Sequence, residues 1–295
     1  MYQLYLGRML EGTLGLFKLG NYDMSASNTT ESALLIDLDG VLYQGDRIIR
    51  GAVETMNWIQ AQGISHLFVT NTTSRSRSSL LKKFDRLGLK VNIEDIVTPI
   101  CATSSWLKSK RIERIALFIP AEAEQDFNDI EIIDSKAESG VEAVVIGDLG
   151  DKWNFATLNR AFRLLMQTPQ PLLIALGMTR FWRASDGLRL DVAPFVKALE
   201  HASGAKATVI GKPSTTFFNS ALSLLQRKPC DTVMIGDDIV GDIQGAQQAG
   251  MRAILVKTGK FRSQDLQGEI TPDGLLESIA SLPAWWAKSE SLQAI

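Results

Sequence analysis

Short apolar runs alternate with segments of helical periodicity through most of the chain after residue 32. The run at 33–37 is followed by apolar positions at helical spacing over 51–62, a second strand-like run at 64–70 and a second helical segment at 76–87. Strands separated by helices of this length favour parallel βαβ units, with helices on both faces of one sheet. We therefore predict an α/β fold, a Rossmann-like doubly wound parallel sheet, whose ligands bind at the carboxyl ends of its strands.

The same alternation restarts near residue 207, after a middle region that has strand candidates of its own. In chain order these candidates are 115–119, 143–146 and 172–176 in the middle region, and 207–210, 232–236 and 253–257 after it. A helix is predicted from about Asp242 to Ala249, with Asp242 as its N-cap. We interpret the middle region as a second α/β domain inserted into the first.

The predicted domain organisation follows from this pattern. It consists of a flexible leader over 1–30, a first core segment over 31–104, an inserted α/β cap over 105–206, a second core segment over 207–288 and a C-terminal tail over 289–295. With 45% apolar residues in 295, the chain has enough material for two hydrophobic cores.

Charge and cysteine usage limit the compartment and the partners. The 31 basic and 33 acidic residues nearly cancel, which disfavours nucleic acid or an anionic membrane as a partner. No apolar stretch approaches the roughly 18 residues of a membrane span. Cys101 and Cys230 are far apart and in no metal-binding spacing, so we expect them to be reduced, buried thiols of a cytoplasmic protein.

Polar side chains stand at four predicted strand ends. They are Asp37 with Asp39, Thr70 with Asn71, Lys212, and Asp237 with Asp238. Taken singly, each has an ordinary explanation as a turn, cap or solvated residue. Taken together, they place several carboxylates at one sheet edge, which favours a divalent cation; Mg²⁺ suits such a site and leaves positions for phosphate. The lysine and the Thr/Asn donors would complete a binding site for a trianion.

The nucleophile is expected to be a carboxylate. The chain has only two histidines, His66 in a predicted strand and His201 in a predicted helix, and it has no G-x-S-x-G segment. A histidine nucleophile or a Ser-His-Asp system therefore has little support. What remains is a carboxylate nucleophile with a second acid nearby.

Four segments resemble a known family. DLDGVLY (37–43), VTNTTS (69–74), GKP (211–213) and GDDIVGDI (236–243) are similar to the four ordered motifs of haloacid dehalogenase-superfamily phosphatases. Their order and the large central insertion resemble the NagD-like subgroup, which carries a type C2 cap. The likeness covers residues 32–265 and leaves out the leader and the extreme C-terminus.

The resemblance implies a phosphatase that acts on a small phosphorylated metabolite. Asp37 would be the nucleophile that forms an aspartyl-phosphate, and Asp39 would be the general acid for the leaving group and then the base that activates water. Thr70 and Asn71 would bind the phosphoryl oxygens. Lys212 would orient Asp37 and offset negative charge.

The resemblance also implies a metal site. Mg²⁺ would be held by Asp37, by the main-chain carbonyl of Asp39 and by Asp237. Asp238 would support a metal-bound water, and Asp242 would contact a water or Lys212. The alternative is a module of the same fold that binds phosphate or accepts a phosphoryl group without turnover; the presence of Asp39 favours the phosphatase, because a positioned base lets the intermediate hydrolyse.

The inserted cap is expected to select the substrate. Within the segment 178–183, we predict that Arg180, Trp182 and Arg183 face the substrate; the alternative is an amphipathic edge with solvated arginines. Because this segment departs from the residues that NagD-like members often carry there, the substrate stays open among phosphomonoesters, pyrophosphate and phosphoamino acids. A homodimer formed through the cap is a further expectation.

Overall fold

A computed structural model describes residues 32–127, 130–184 and 186–293, so the expected leader over 1–30 lies outside the described residues. These residues form fifteen strands: β1 (Ala33–Asp37), β2 (Tyr43–Gln44), β3 (Arg47–Ile48), β4 (His66–Val69), β5 (Ile96–Val97), β6 (Arg114–Phe118), β7 (Glu131–Ile132), β8 (Ala143–Ile146), β9 (Leu172–Ala175), β10 (Phe181–Ala184), β11 (Gly187–Leu190), β12 (Ala207–Val209), β13 (Thr232–Gly236), β14 (Arg252–Val256) and β15 (Gly274–Leu276).

Eight α-helices connect the strands in the described part of the chain. They are α1 (Ala52–Ala61), α2 (Arg77–Arg86), α3 (Pro99–Ser109), α4 (Phe155–Leu165), α5 (Val192–Ser203), α6 (Thr215–Leu225), α7 (Gly245–Gln248) and α8 (Leu282–Gln293). A π-helical turn, Ile239–Gln244, leads into α7. Not one of the helices in the described ranges is long and apolar enough to cross a membrane.

The first sheet has six parallel strands in the order β15-β14-β13-β1-β4-β5. All five residues of β1, at its centre, are buried. Leu34 and Ile36 pack on one face with residues of α1 and α2, and Leu35 packs on the other with residues of α3 and α6. Because helices cover both faces, the strand reads as an unbroken apolar run. The predicted α/β fold is confirmed.

The second sheet has five parallel strands in the order β12-β9-β8-β6-β7. Side chains of α4 and α5 cover one of its faces. On its other face Ile115, Val145 and Ile174 belong to the same apolar cluster as Leu35 of the first sheet. The two sheets therefore share a continuous hydrophobic cluster. The domain boundaries drawn from the sequence stay a proposal.

The strand predicted at 207–210 is present as β12, but it lies in the second sheet. It pairs with β9 at the sheet edge, so the expectation that it begins the second core segment was wrong for these residues. The cause is α5, because a helix between two parallel strands returns the chain beside the strand it has left. All three residues of β12 are only partly buried, as befits an edge strand.

Other local predictions need correction. The helix expected from Asp242 begins earlier, as the π-helical turn at Ile239, and its N-cap is Asp238. The C-terminal region expected to be a tail after residue 288 continues α8 to Gln293. Both cysteines were expected to be buried, but Cys230 is exposed because it lies in a short 3₁₀ turn before β13, and Cys101 is only partly buried.

We predict that Leu35→Ala lowers the free energy of unfolding by about 2–5 kcal/mol, because it leaves a cavity at the centre of the first sheet. Leu35 is 0% exposed, whereas Leu224 on α6 is 56% exposed. The matched control Leu224→Ala should therefore cost less than about 0.5 kcal/mol. Urea denaturation measures both values, and equal losses in the two variants would contradict the placement of Leu35.

Candidate active site

A buried ion-pair cluster lies at the carboxyl end of β1. Asp37 is the last residue of this strand, and its Oδ1 atom is 2.5 Å from the Nζ atom of Lys212. The same Nζ atom lies 2.6 Å from Oδ1 of Asp242. Asp37, Lys212 and Asp242 are 7%, 5% and 1% exposed. One ammonium group thus joins the end of β1, the loop after β12 and the turn after β13.

Asp242 and Asp238 shape the turn that follows β13. Oδ2 of Asp242 accepts hydrogen bonds from the main-chain N–H groups of Asp237 and Asp238, both at 3.1 Å. Asp238 accepts from the N–H groups of Val240 and Gly241, at 3.1 and 2.8 Å. The capping function expected of Asp242 therefore belongs to Asp238. Asp242 is free to turn inward and meet Lys212.

Asp237 is enclosed by main chain. Its Oδ2 atom accepts a 2.7 Å hydrogen bond from the main-chain N–H of Lys260. A methyl group on either Gly40 or Gly259 would overlap this carboxylate, and both glycines have positive φ angles, of 95° and 67°. The Oδ1 atom of Asp237 is buried and has no hydrogen-bond partner among the described residues. An orphaned buried carboxylate oxygen calls for a positively charged ligand.

Burial and mutual repulsion perturb the ionisation of these groups. Burial raises the pKa of Asp37 to about 8, with contributions from the carboxylates of Asp242 and Asp237, while Lys212 opposes the shift. Burial likewise raises the pKa of Asp237 to about 6, assisted by Asp242. Burial alone would lower the pKa of Lys212, but the carboxylates of Asp242 and Asp37 raise it above its usual value. The single ammonium of Lys212 therefore does not offset the effect of burial and of neighbouring carboxylates on the pKa values of Asp37 and Asp237.

Three of the carboxylates could hold a cation. Asp37, Asp237 and Asp242 each offer an oxygen atom, and these atoms lie within 4.8 Å of one another. Three ionised carboxylates and one ammonium carry a net charge of −2, which a divalent cation would balance. The oxygen-only donor set suits Mg²⁺. Asp39 does not belong to this group, and its residue is exposed at the cavity wall.

The loop after β4 is tied to the loop that carries Lys212. The Asn71 side chain donates from Nδ2 to the main-chain carbonyl of Lys212 at 2.9 Å, and its Oδ1 accepts from the Lys212 N–H at 2.8 Å. Both polar atoms of the side chain are thus engaged with the main chain of another loop. The Nδ2 atom carries a second N–H, and Asn71 lines the cavity of Asp37, so the expectation that this side chain binds phosphoryl oxygens stays a prediction; what the structure adds is a contact that positions the main chain of Lys212. Thr70 is 5% exposed and lies with Asp37 and Lys212 in one cavity.

Two adjoining cavities open at this end of the first sheet. One, of about 620 Å³, contains Asp37, Thr70, Lys212 and Asp242. The other, of about 450 Å³, extends toward α2. The two cavities share six of their lining residues: Asp39, Asn71, Thr72, Thr179, Trp182 and Asp191. A ligand bound at Asp37 has room to extend in either direction past Asp39.

The predicted cap residues differ in position. Trp182 lies in β10 and lines both cavities, a position compatible with the prediction that it faces the substrate. Arg180 lines neither cavity; it is exposed, and its guanidinium carbon lies 5.9 Å from the centroid of the Phe181 ring. The side chain of Arg183 lies outside the described residues. Arg180 is thus a surface residue.

The sequence analysis did not identify Asp191, an acidic residue of the cap that lines both cavities. Asp191 caps α5 by accepting the Val192 N–H at 2.7 Å, and it lines both cavities. Burial raises the pKa of Asp191 to about 6, and Asp148 adds to the shift. An Asp directly before the apolar stretch that begins at Val192 is a recognisable N-cap signal. No sequence signal indicated that Asp191 lines the same cavities as Asp39.

Two family models match the chain. A model described as haloacid dehalogenase-like hydrolase matches residues 34–133, and one described as HAD-hydrolase-like matches residues 209–282. The first segment contains Asp37 and Asn71, and the second contains Lys212 and Asp242. The matched segments therefore carry every residue of the buried cluster.

Curated relatives match over most of their length. The chain is 39% identical over 252 residues to phospholysine phosphohistidine inorganic pyrophosphate phosphatase from Homo sapiens, with 84% of this chain and 91% of the relative covered. It is 40% identical over 247 residues to haloacid dehalogenase-like hydrolase domain-containing protein 2 from Bos taurus, with 84% and 92% covered.

Solved structures share the fold. The p-nitrophenyl phosphatase from Archaeoglobus fulgidus superposes with a TM-score of 0.78 at 25% identity, covering 86% of this chain and 99% of that one. NagD from E. coli K-12 gives a TM-score of 0.76 at 23% identity, covering 84% and 97%. The resemblance predicted from the four motifs is confirmed.

We predict that Asn71→Ala lowers the free energy of unfolding by about 1–3 kcal/mol, because it leaves both main-chain groups of Lys212 without their partners. Displacement of Lys212 should also lower kcat for p-nitrophenyl phosphate. Asn92 is exposed, and its amide donates a 3.0 Å hydrogen bond to Asp95 three residues along the chain, so it provides the matched control. Asn92→Ala should change neither value appreciably, and wild-type behaviour of Asn71→Ala in denaturation and turnover would refute the role of this bridge.

Proposed function

The chain belongs to the haloacid dehalogenase-like hydrolases and is a phosphatase of that family, and from this premise we propose that it hydrolyses a small phosphomonoester or related phosphoryl compound with Mg²⁺, through an aspartyl-phosphate on Asp37. The observation that carries the proposal is the contact between Asp37 and Lys212 inside a cavity that also holds Thr70. A strand-end carboxylate fixed at one oxygen keeps its other oxygen available for attack on phosphorus.

Lys212 holds the nucleophile and compensates charge. Its ammonium fixes Oδ1 of Asp37 and is itself fixed by Asp242, so the nucleophile cannot rotate freely. The same positive charge stabilises the negative charge that gathers around the transferring phosphoryl group. In this proposal the Thr70 hydroxyl and main-chain N–H groups of the loop after β4 bind the phosphoryl oxygens, and the Asn71 side chain keeps Lys212 in place.

Asp39 moves the protons. It lines both cavities and lies two residues beyond Asp37, where it can meet the leaving-group oxygen. As an acid it donates a proton to that oxygen, and as the resulting base it takes a proton from the water that attacks the aspartyl-phosphate. This second function separates a phosphatase from the alternative, a phosphoacceptor module on the same fold that retains the phosphoryl group.

The acidic cluster fits Mg²⁺. Asp37 and Asp237 would hold the ion, with the Asp39 carbonyl as predicted from the motifs, and Asp242 offers a further oxygen. The orphaned Oδ1 atom of Asp237 and the proximity of the three carboxylate oxygens support this assignment. When bound, Mg²⁺ would supply positive charge that reduces the repulsion between the carboxylate of Asp37 and the phosphoryl oxygens. Asp238 supports the site by capping the turn that carries Asp242.

The substrate class and setting belong to the same proposal. Thr179, Trp182 and Asp191 bring the cap to the cavities, so the leaving group is selected there. The curated relative named above acts on phospholysine, phosphohistidine and inorganic pyrophosphate by its name, and such phosphoryl compounds are candidates for this chain. We propose a cytoplasmic enzyme that acts on a small phosphorylated metabolite, has no nucleic-acid or membrane partner and forms a homodimer through its cap.

We predict that Asp37→Asn abolishes phosphate release from p-nitrophenyl phosphate and prevents labelling of the protein by a radioactive phosphoryl donor, because an amide cannot serve as the nucleophile. Asp39→Asn should still be labelled but should lose the label slowly. The exposed Asp85 of α2 provides the control, and Asp85→Asn should behave as wild type. Substantial turnover by Asp37→Asn would show that the nucleophile is misassigned, and a stable label in the wild type would favour the phosphoacceptor alternative.

Removal of divalent cations should abolish turnover, and Mg²⁺ should restore it. Ca²⁺ should inhibit, because its looser coordination misplaces the nucleophile. Isothermal titration calorimetry should detect Mg²⁺ binding to the wild type and at least about tenfold weaker binding to Asp237→Asn, since a charged oxygen ligand is lost. Full activity in chelator-treated buffer, or unchanged Mg²⁺ affinity in Asp237→Asn, would argue against this metal site.

A further inference from the structure

The second cavity contains a buried lysine that the proposed reaction does not use. Lys83 lies on α2, is 6% exposed and lines the cavity of about 450 Å³ that adjoins the cavity of Asp37. Its Nζ atom lies 3.7 Å from the centroid of the Tyr43 ring, and Tyr43 lines the same cavity. The ammonium group is therefore placed at the cavity wall, next to the loop that follows Asp37.

Lys83 has no ionic partner in the described part of the chain. No described residue forms an ion pair or hydrogen bond with its ammonium, whereas the other buried lysine named above, Lys212, has two carboxylates. The face of an aromatic ring supplies only part of the stabilisation that a buried cation needs. Burial lowers the pKa of Lys83, and Asp39 and Asp46 oppose that effect without contacting the ammonium. A bound anion would complete this site.

The cavity extends the phosphoryl site toward Lys83. Asp39, Asn71 and Thr72 line both cavities, so a leaving group that is protonated by Asp39 has a direct path into the second one. The carboxylates of Asp148 and Asp191 also line it, but neither pairs with Lys83. Arg75 and the hydroxyl groups of Thr73 and Ser74, all in the loop after β4, add hydrogen-bond donors to the cavity wall.

We propose, building on the phosphatase function above, that Lys83 binds a second anionic group on the leaving group of the substrate, either a carboxylate or a phosphate. The substrate class is then a compact phosphate ester or anhydride with two anionic ends. Asp37 attacks one end, and the ammonium of Lys83, which lies over the ring of Tyr43, binds the other. This assignment makes α2, an element of the first sheet's helical layer, part of the specificity apparatus alongside the cap.

A matched pair of substrates tests the proposal. Carboxymethyl phosphate and 2-hydroxyethyl phosphate have similar size, but only the first carries a second anion. The wild type should prefer carboxymethyl phosphate in kcat/KM, and Lys83→Met should reduce that preference by about ten- to a hundredfold, the effect of losing one charge-assisted contact. Lys83→Arg should retain most of it. Lys82→Met, at the exposed neighbouring position, should leave it unchanged.

Further arms separate the possible results. Pyrophosphate in place of carboxymethyl phosphate shows whether the second group is a phosphate or a carboxylate, and Lys83→Gln replaces Lys83→Met if circular dichroism shows that the Met variant is unfolded. An unchanged preference in the folded Lys83 variant, or a wild type that favours 2-hydroxyethyl phosphate over both compounds with a second anionic group, would overturn the proposal. If the wild type releases no phosphate from any compound, the phosphatase proposal fails separately. Calorimetric binding of carboxymethyl phosphate to wild type and Lys83→Met then decides the anion site alone.

Discussion

The placement of one ammonium between two buried carboxylates is the interaction on which the rest of the site depends. Lys212 joins the end of β1 to the turn after β13, and it comes from a third segment, the loop after β12. Without it, Asp37 and Asp242 would repel each other in a region that excludes water, and one would take up a proton. Buried ion pairs contribute little net stability, but they fix which groups meet. Here they fix one oxygen of Asp37 at the end of β1 and one oxygen of Asp242 in the turn after β13.

The neighbouring contacts protect that arrangement. The Asn71 amide holds the main chain of Lys212 from the side of β4, with one donated and one accepted hydrogen bond. On the other side, a methyl group on Gly211 would overlap the carbonyl oxygen of Leu176, so the loop passes close to the end of β9. The lysine is thus positioned by both sheets at once. Its charge is set by the acids, and its location by main-chain contacts that do not depend on charge.

The elements that the sequence predicted correctly are those that can be recognised from their own residues alone. The strand β1 is buried on both faces and therefore reads as an apolar run, and its terminal Asp37 marks the sheet edge where the other motifs meet. The sheet that receives β12 was mispredicted, because three half-buried residues do not specify their neighbour. The side-chain bonds of Asn71 and the burial of Lys83 depend on loops distant in sequence. Lys83 does follow Leu80 by three residues and so shares the inward face of α2, whereas Lys82 does not.

The junction between β12 and Lys212 has a consequence for how such a chain can diversify. Only Ile210 and Gly211 separate the last residue of β12 from Lys212. One added or deleted residue there would move the ammonium by about 3.3 Å, more than the length of the bonds it makes. Among the described residues, β10 and β11 pair only with each other, so a change in their length would break no ladder with another strand. A change in the length of that hairpin would therefore alter the cavity wall that carries Trp182 and leave Lys212 in place, whereas a change in the two-residue junction would displace Lys212.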